Sequence, residues 1–204
     1  MSATVESPTA KPQAKAKTGG GIEAAAPAKA KNDKDSWQDA LGDAQKKAKA
    51  NEDLGIDVAA VVSGHEAWLA SKGAQGEKAS LNKAELAGAD LSGANLASAN
   101  MRDANLEGAN LSAANLLDVD LRSANVCAAQ LKETTLDNAK LRHAEMKGAI
   151  LLEAGLKGAD FKGANLLSTD IRGAKLMGAN LTQKQIDQAR GDETTELPPG
   201  LFIK

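Results

Sequence analysis

The sequence predicts an all-β fold: a solenoid wound from five-residue units, with short α-helical caps at its ends and a disordered N-terminal tail. Three observations carry this. From residue 79 an apolar residue recurs at every fifth position, from Leu81, Leu86, Leu91, Leu96 and Met101 through to Leu181, and all 21 of these lead positions are apolar. Two residues before each lead stands Ala, except at Val119, Thr134 and Thr169. Between the two sits mostly Asn or Asp, as in Ala94-Asn95-Leu96 and Ala159-Asp160-Phe161. A period of five matches neither the 3.6 of an α-helix nor the 2 of a continuous strand. Two inward residues separated by two have strand spacing, so the remaining positions, often Gly or Ser, must turn the chain. Each unit is then a short extended piece plus a corner, and repeated corners wind a solenoid in which every turn buries its neighbour's apolar side. Ala at the second inward position fits an interior too narrow for two large side chains per unit.

The elements follow in order. Residues 1–35 are rich in Ala, Lys, Pro, Thr and Gly and nearly devoid of large apolar side chains, so they cannot bury enough surface to offset their ordering entropy and read as a disordered tail. Gly19-Gly20-Gly21 lacks the Lys-Ser/Thr of a phosphate loop and reads as spacer. In 36–56, Ser36 and Asp39 look like a capping box, and Trp37, Ala40, Leu41, Ala44 and Ala48 share one face of a short amphipathic helix with a linker behind it. Residues 57–78 form an N-terminal helical cap: Asp57 can start it, Val58, Val61, Val62, His65, Trp68 and Leu69 make its stripe, and Gly73 can end it. Residues 79–181 are the repeat array. In 182–204, Thr182 and Gln185 suggest a capping box opening a final helix that Gly191 ends, followed by a closing segment. Because a solenoid's last coil leaves apolar side chains and unpaired backbone at its end, the Val61/Trp68 helix is expected over the first coil, and Ile186, Leu197, Leu201 and Phe202 over the last.

Composition narrows the function. The formal net charge is −2, so there is no global basic footprint for nucleic acid, and direct nucleic-acid binding is not expected. Residues 77–190 hold fourteen Lys/Arg and fourteen Asp/Glu. The single Cys127 allows no intramolecular disulfide. No secretory leader and no membrane-length apolar stretch is seen, so the expectation is a cytoplasmic protein without membrane insertion. The two histidines, His65 and His143, join no Cys-His or Ser-His-Asp arrangement; neither catalysis nor a metal or other cofactor is expected. His65 reads as a packing residue of the cap, and the run Asn95, Asn100, Asn105, Asn110 and Asn115 as residues that satisfy backbone groups at the corners.

At residues 79–185 the repeat A(D/N)LXX resembles the pentapeptide-repeat family. The stretch His65-Glu66-Ala67-Trp68-Leu69 resembles the short helix that often precedes the array in that family, and 181–186 with 191–193 and 197–201 resembles its common closing segment. The resemblance implies a right-handed quadrilateral β-helix with four units per coil, and, since members often dimerise through that end, a homodimer through the C-terminal end.

If a coil holds four units, residues twenty apart stack at about 4.8 Å, and one outward column reads Arg102, Arg122, Arg142, Lys162. This column is a candidate surface for an acidic or phosphate-bearing partner; the bland alternative is a solvated face neutralised by Asp103, Asp120 and Asp160. Outward apolar residues Leu117, Ile150, Leu152, Leu167 and Met177 spread over three faces, and Ile150 with Leu152 forms a second candidate site; the bland alternative is scattered surface hydrophobes. Trp37 is a third, on a helix able to enter a partner's groove or, equally, to fold back loosely on the solenoid. The reading is a noncatalytic protein-interaction scaffold with a flexible N-terminal arm and an unnamed protein partner. The alternative that the family suggests is a regulator of DNA gyrase that mimics the DNA duplex. Mimicry requires dense negative charge, and balanced charge argues against it.

Overall fold

The computed structural model describes residues 57–204; the expectations for 1–35 and 36–56, Trp37 included, lie outside the described residues. In the array the backbone makes parallel bridges between residues twenty apart, Ser80 to Asn100, Glu85 to Asn105, Asp90 to Asn110, Asn95 to Asn115 and onward to Asp160 with Asn180. Four five-residue units therefore complete one coil of a β-helical solenoid, and units 81–180 make five coils. Each unit contributes one bridging residue only, so the ladder is built from single-residue extended pieces and not from strands.

One unit shows why the repeat has its sequence. In Asn105-Leu106-Glu107-Gly108-Ala109 the Leu106 N–H donates to Asn125 O (2.7 Å) and the Gly108 N–H to Cys127 O (2.9 Å), both one coil on. The Ala109 N–H closes a turn onto Leu106 O (3.0 Å), and the next bridging residue, Asn110, donates back to Ala89 O (2.9 Å). The remaining N–H, on Glu107, donates to Asn105 Oδ1 at 3.3 Å. All five backbone donors are thus used, as a buried or half-buried coil demands. The last of them explains Asn or Asp at the bridging position, where a short side chain can accept from the backbone two residues on. The same bond recurs from Arg102 to Asn100, Leu117 to Asn115 and Leu167 to Asn165. The asparagines also stack, Asn115 Nδ2 donating to Asn95 Oδ1 (3.0 Å) and Asn125 Nδ2 to Asn105 Oδ1 (3.1 Å). Where Gly155 supplies no side chain, Asp137 from the coil before accepts from the Lys157 N–H at 2.9 Å.

Every lead residue from Leu81 to Leu176 is buried, and Leu181 is half-buried. The two threonines at Ala positions are buried and donate across coils, Thr134 Oγ1 to Leu111 O and Thr169 Oγ1 to Met146 O, both 2.8 Å. A hydroxyl is tolerated there because a carbonyl already engaged in a turn keeps a second lone pair.

The turn's third residue is left-handed in every unit from Lys83 to Gly178, and twelve of these are not glycine. Left-handed backbone costs an L-residue about 1–2 kcal/mol, partly offset because a side chain restricts the unfolded chain by about 0.4–1 kcal/mol relative to Gly. Gly93 (φ 68°) has nothing within 4 Å of an added Cβ. Gly93→Ala is therefore expected to destabilise by about 0.5–1 kcal/mol, and Ala113→Gly (φ 57°) to stabilise by a similar amount. Denaturant midpoints of the two variants check this; equal shifts of the same sign would contradict it.

Helix α1, Val58–Ala70, is N-capped by Asp57, whose carboxylate accepts from the Ala60 N–H at 2.9 Å. It ends one residue earlier than the glycine implies. Ser71 is the C-cap, Lys72 takes the left-handed position (φ 54°), and the Gly73 N–H reaches back to Trp68 O at 2.8 Å. This is a Schellman ending with Lys in the place Gly usually holds. Val58, Val61 and Val62 pack on the core. Gly76 is required by close approach: a Cβ there would lie 2.2 Å from Gly64 O on α1.

At the other end Thr182 and Gln185 form the expected capping box, but helix α2 spans only Gln183–Ile186 and Gly191 does not end it. The chain leaves the helix to pair extended backbone with the last coil, Arg190 with Asp170 and Glu196 with Lys175. Unpaired ladder groups outweigh helix continuation there. Ile186, Leu197 and Leu201 pack at this end as expected, but Ile203 takes the place assigned to Phe202, which is 56% exposed.

Candidate interaction surface

The twenty-residue register sorts side chains onto four faces. Arg102, Arg122, Arg142 and Lys162 fall in one column, since the Asp103, Ser123 and His143 N–H groups donate to Arg122, Arg142 and Lys162 O of the following coil. Two of the four are paired. The Arg122 guanidinium grips Asp120, Nε to Oδ1 at 2.8 Å, and Arg142 pairs with Asp160. Asp103 makes no ion pair among the described residues, and neither do Arg102 and Lys162. The paired acids lie inboard of the cations: side-chain exposure is 16% for Asp120 against 39% for Arg122, and 25% for Asp160 against 50% for Arg142. The hydrogen bonds from Arg122 hold the Asp120 carboxyl below its ordinary pKa. For Asp160 burial pushes upward, but the Arg142 bond and the Lys162 N–H outweigh it and the net shift is downward.

Other faces differ. Ile150 is exposed and Leu152 half-buried, one on either side of the buried Leu151. Ile150 stands at a bridging position and offers the Leu152 N–H no side-chain acceptor. Leu117, Leu167 and Met177 are exposed but belong to other units. Cys127 is half-buried, and burial raises its thiol pKa. His143 is exposed. Among the described residues no group of three His, Cys, Asp or Glu side chains could hold a metal ion, and no helix is long and apolar enough to cross a membrane.

One residue does more than its sequence suggests. His65 is fully buried, accepts from the Ala79 N–H at Nδ1 (3.0 Å), and lies with Nε2 2.9 Å from Ala97 O. An N–H donor at Nδ1 and a carbonyl at Nε2 require the neutral ring with its proton on Nε2. The ring stacks on Trp68 at 5.6 Å, and Lys78 Nζ lies 5.6 Å from the Trp68 ring centre. His65 thus fastens α1 to both ends of the first coil. No local pattern could reveal this, because Ala97 is 32 residues away.

Single-residue bridges, a twenty-residue coil and an interior of stacked leads and alanines define a β-helical repeat protein that displays its side chains on flat faces. Pentapeptide repeats, in 8 copies, match residues 77–112, 114–152, 129–166 and 153–183, more than half of the sequence. The chain belongs to the pentapeptide-repeat family. Among solved structures it is similar to a pentapeptide-repeat protein of the cyanobacterium Cyanothece (38% identity, TM-score 0.42), covering 46% of this chain and 63% of that one, less than two thirds of its length. It is also similar to a pentapeptide-repeat protein from the Arabidopsis thaliana thylakoid lumen (25% identity, TM-score 0.39, 52% of this chain and 80% of that one). A third is HetL of Nostoc, involved in heterocyst differentiation regulation (28% identity, TM-score 0.33, 63% and 76%). No curated protein matches.

Proposed function

We propose that the protein is a noncatalytic interaction scaffold: a rigid right-handed β-helix whose faces dock a protein partner, with residues 1–56 as an arm that assists recruitment. The observation that carries this reading is the array's own construction. Backbone donors are consumed within and between coils, the interior is filled by leads and alanines, and every buried side-chain nitrogen or oxygen among the described residues has a partner. What is left to vary is the outward columns, and those carry the distinct chemistry. The proposal includes a cytoplasmic setting. Self-association belongs to the same proposal, at the C-terminal end where Phe202 stays exposed. Duplex mimicry, as for a gyrase regulator, needs dense negative charge, and the net-negative faces of the array keep Lys132, Lys147 and Arg172 among their acids, so it stays the alternative.

The test is affinity capture from native extract, comparing the full chain with one starting at Asp57 and with full chains carrying charge reversals on single faces. We expect a partner that survives loss of the arm and is lost by reversal on one face. A partner that depends on 1–56 alone would overturn the docking role of the solenoid.

A further inference from the structure

The scaffold reading leaves the kind of partner open, and charge distribution narrows it. The face holding the arginine column carries six cations, Lys83, Arg102, Arg122, Lys140, Arg142 and Lys162, against three carboxylates, Asp103, Asp120 and Asp160. No other face is net positive: the face of Glu85, Glu107, Glu145 and Lys147 is net negative, as is the one from Asp90 to Arg172, and the one bearing Asp118, Asp137, Lys157 and Lys175 is neutral. A sequence balanced in total is therefore polarised in section. The polarity is sharpened by depth, since two of the three carboxylates are the withdrawn ones while Lys83, Arg102, Lys140 and Lys162 are exposed.

We infer that this face is a docking strip for an acidic polypeptide segment lying along the coil axis, an inference that rests on the scaffold reading. Of its three column arginines, Arg122 and Arg142 are already paired with Asp120 and Asp160, while Arg102 makes no ion pair among the described residues and its planar fork matches a carboxylate in two parallel hydrogen bonds. Successive coils repeat the cation at about 4.8 Å, so a strip of carboxylates meets cations whose backbone positions the coil ladder already fixes. Nucleic acid fits less well. Binding of single strands relies on several exposed aromatic rings, whereas the array's one Phe, Trp or Tyr, Phe161, is 1% exposed and His143 is the single exposed ring on this face. A duplex, broader than one face, would also bring phosphates over the flanking Glu85 and Glu145.

The experiment is calorimetric titration of the full-length protein with a capped oligoglutamate peptide and, separately, a single-stranded oligothymidylate of equal charge, each at low and physiological salt. The double variant Arg102→Glu/Lys162→Glu should weaken oligoglutamate binding by about tenfold or more, because attraction at two sites is replaced by repulsion. The milder Arg102→Gln/Lys162→Gln should fall between, and Lys147→Glu/Lys157→Glu, with the same change in net charge on other faces, should bind as wild type. Equal weakening by both Glu pairs, no oligoglutamate binding, or tighter binding of oligothymidylate would overturn the inference. A captured partner lost by reversal on a different face would overturn it too while sparing the scaffold reading.

Discussion

Leu111→Asp is expected to unfold the middle of the array. Leu111 is fully buried, and Leu91 and Leu131 occupy the same position one coil before and after. Its carbonyl accepts from the Ala114 N–H (3.1 Å) and from Thr134 Oγ1 (2.8 Å), so no donor nearby is free to serve a carboxylate. A charge there is unpaired in an apolar column; a protonated carboxyl still lacks partners. Such a change costs on the order of 4–5 kcal/mol or more. In a solenoid each coil is stabilised mainly by its neighbours, so the loss spreads to the coils on both sides and is not absorbed locally. Thermal melts followed by circular dichroism check this against Ser112→Asp, one residue on and facing outward, which should stay within about 0.5 kcal/mol of wild type. Equal stability of the two variants would sink the inward assignment.

The second large effect is at His65. Removing the ring in His65→Ala strands the Ala79 N–H and the Ala97 carbonyl and opens a cavity under Trp68; each stranded group costs about 1–3 kcal/mol. The damage should stay at the N-terminal end, read as faster amide exchange at Ala79 and altered Trp68 fluorescence with the central coils protected. Acid should act in the same direction. Burial lowers the His65 pKa from its ordinary 6.5, against an upward pull from the Ala97 carbonyl; Lys78 nearby lowers it further and Glu66 raises it. With the folded value depressed, the unfolded ring takes its proton first as pH falls. The cap is therefore at full strength above about 6.5 and weakens progressively below it, because a second ring proton would face the Ala79 N–H. An Ala79 protection factor, taken against the intrinsic exchange rate at each pH, that does not fall below about pH 6.5 would contradict this clamp.

The fold was legible where chemistry repeats. Leu and Ala two apart at a period of five describe the interior directly, because only a narrow extended unit buries that pair and nothing else. The Asn at bridging positions could be assigned to backbone satisfaction from its turn chemistry, although the cross-coil asparagine stack could not. On sequence alone, four units per coil follows from the family resemblance and not from the period; the bridges twenty residues apart establish it and the columns with it. The ends were harder to read. Helix signals at Gly73 and Gly191 are local, whereas Lys72 and the Arg190 bridge answer to the neighbouring coil. Likewise the pairing of Arg122 with Asp120 was within reach of the spacing, but the depth difference that leaves cations outermost needs three dimensions. Trp37 stays a candidate on sequence grounds alone, in a segment outside the described residues.

The claim at the centre is that one face of a rigid array, and not an interior site or the arm, receives the partner. Face-by-face charge reversal in the full-length protein, read by capture from native extract, tests it most directly. The predicted result is a partner lost with Arg102→Glu/Lys162→Glu and kept with Lys147→Glu/Lys157→Glu. A partner kept by every face variant and lost only when residues 1–56 are removed would contradict it.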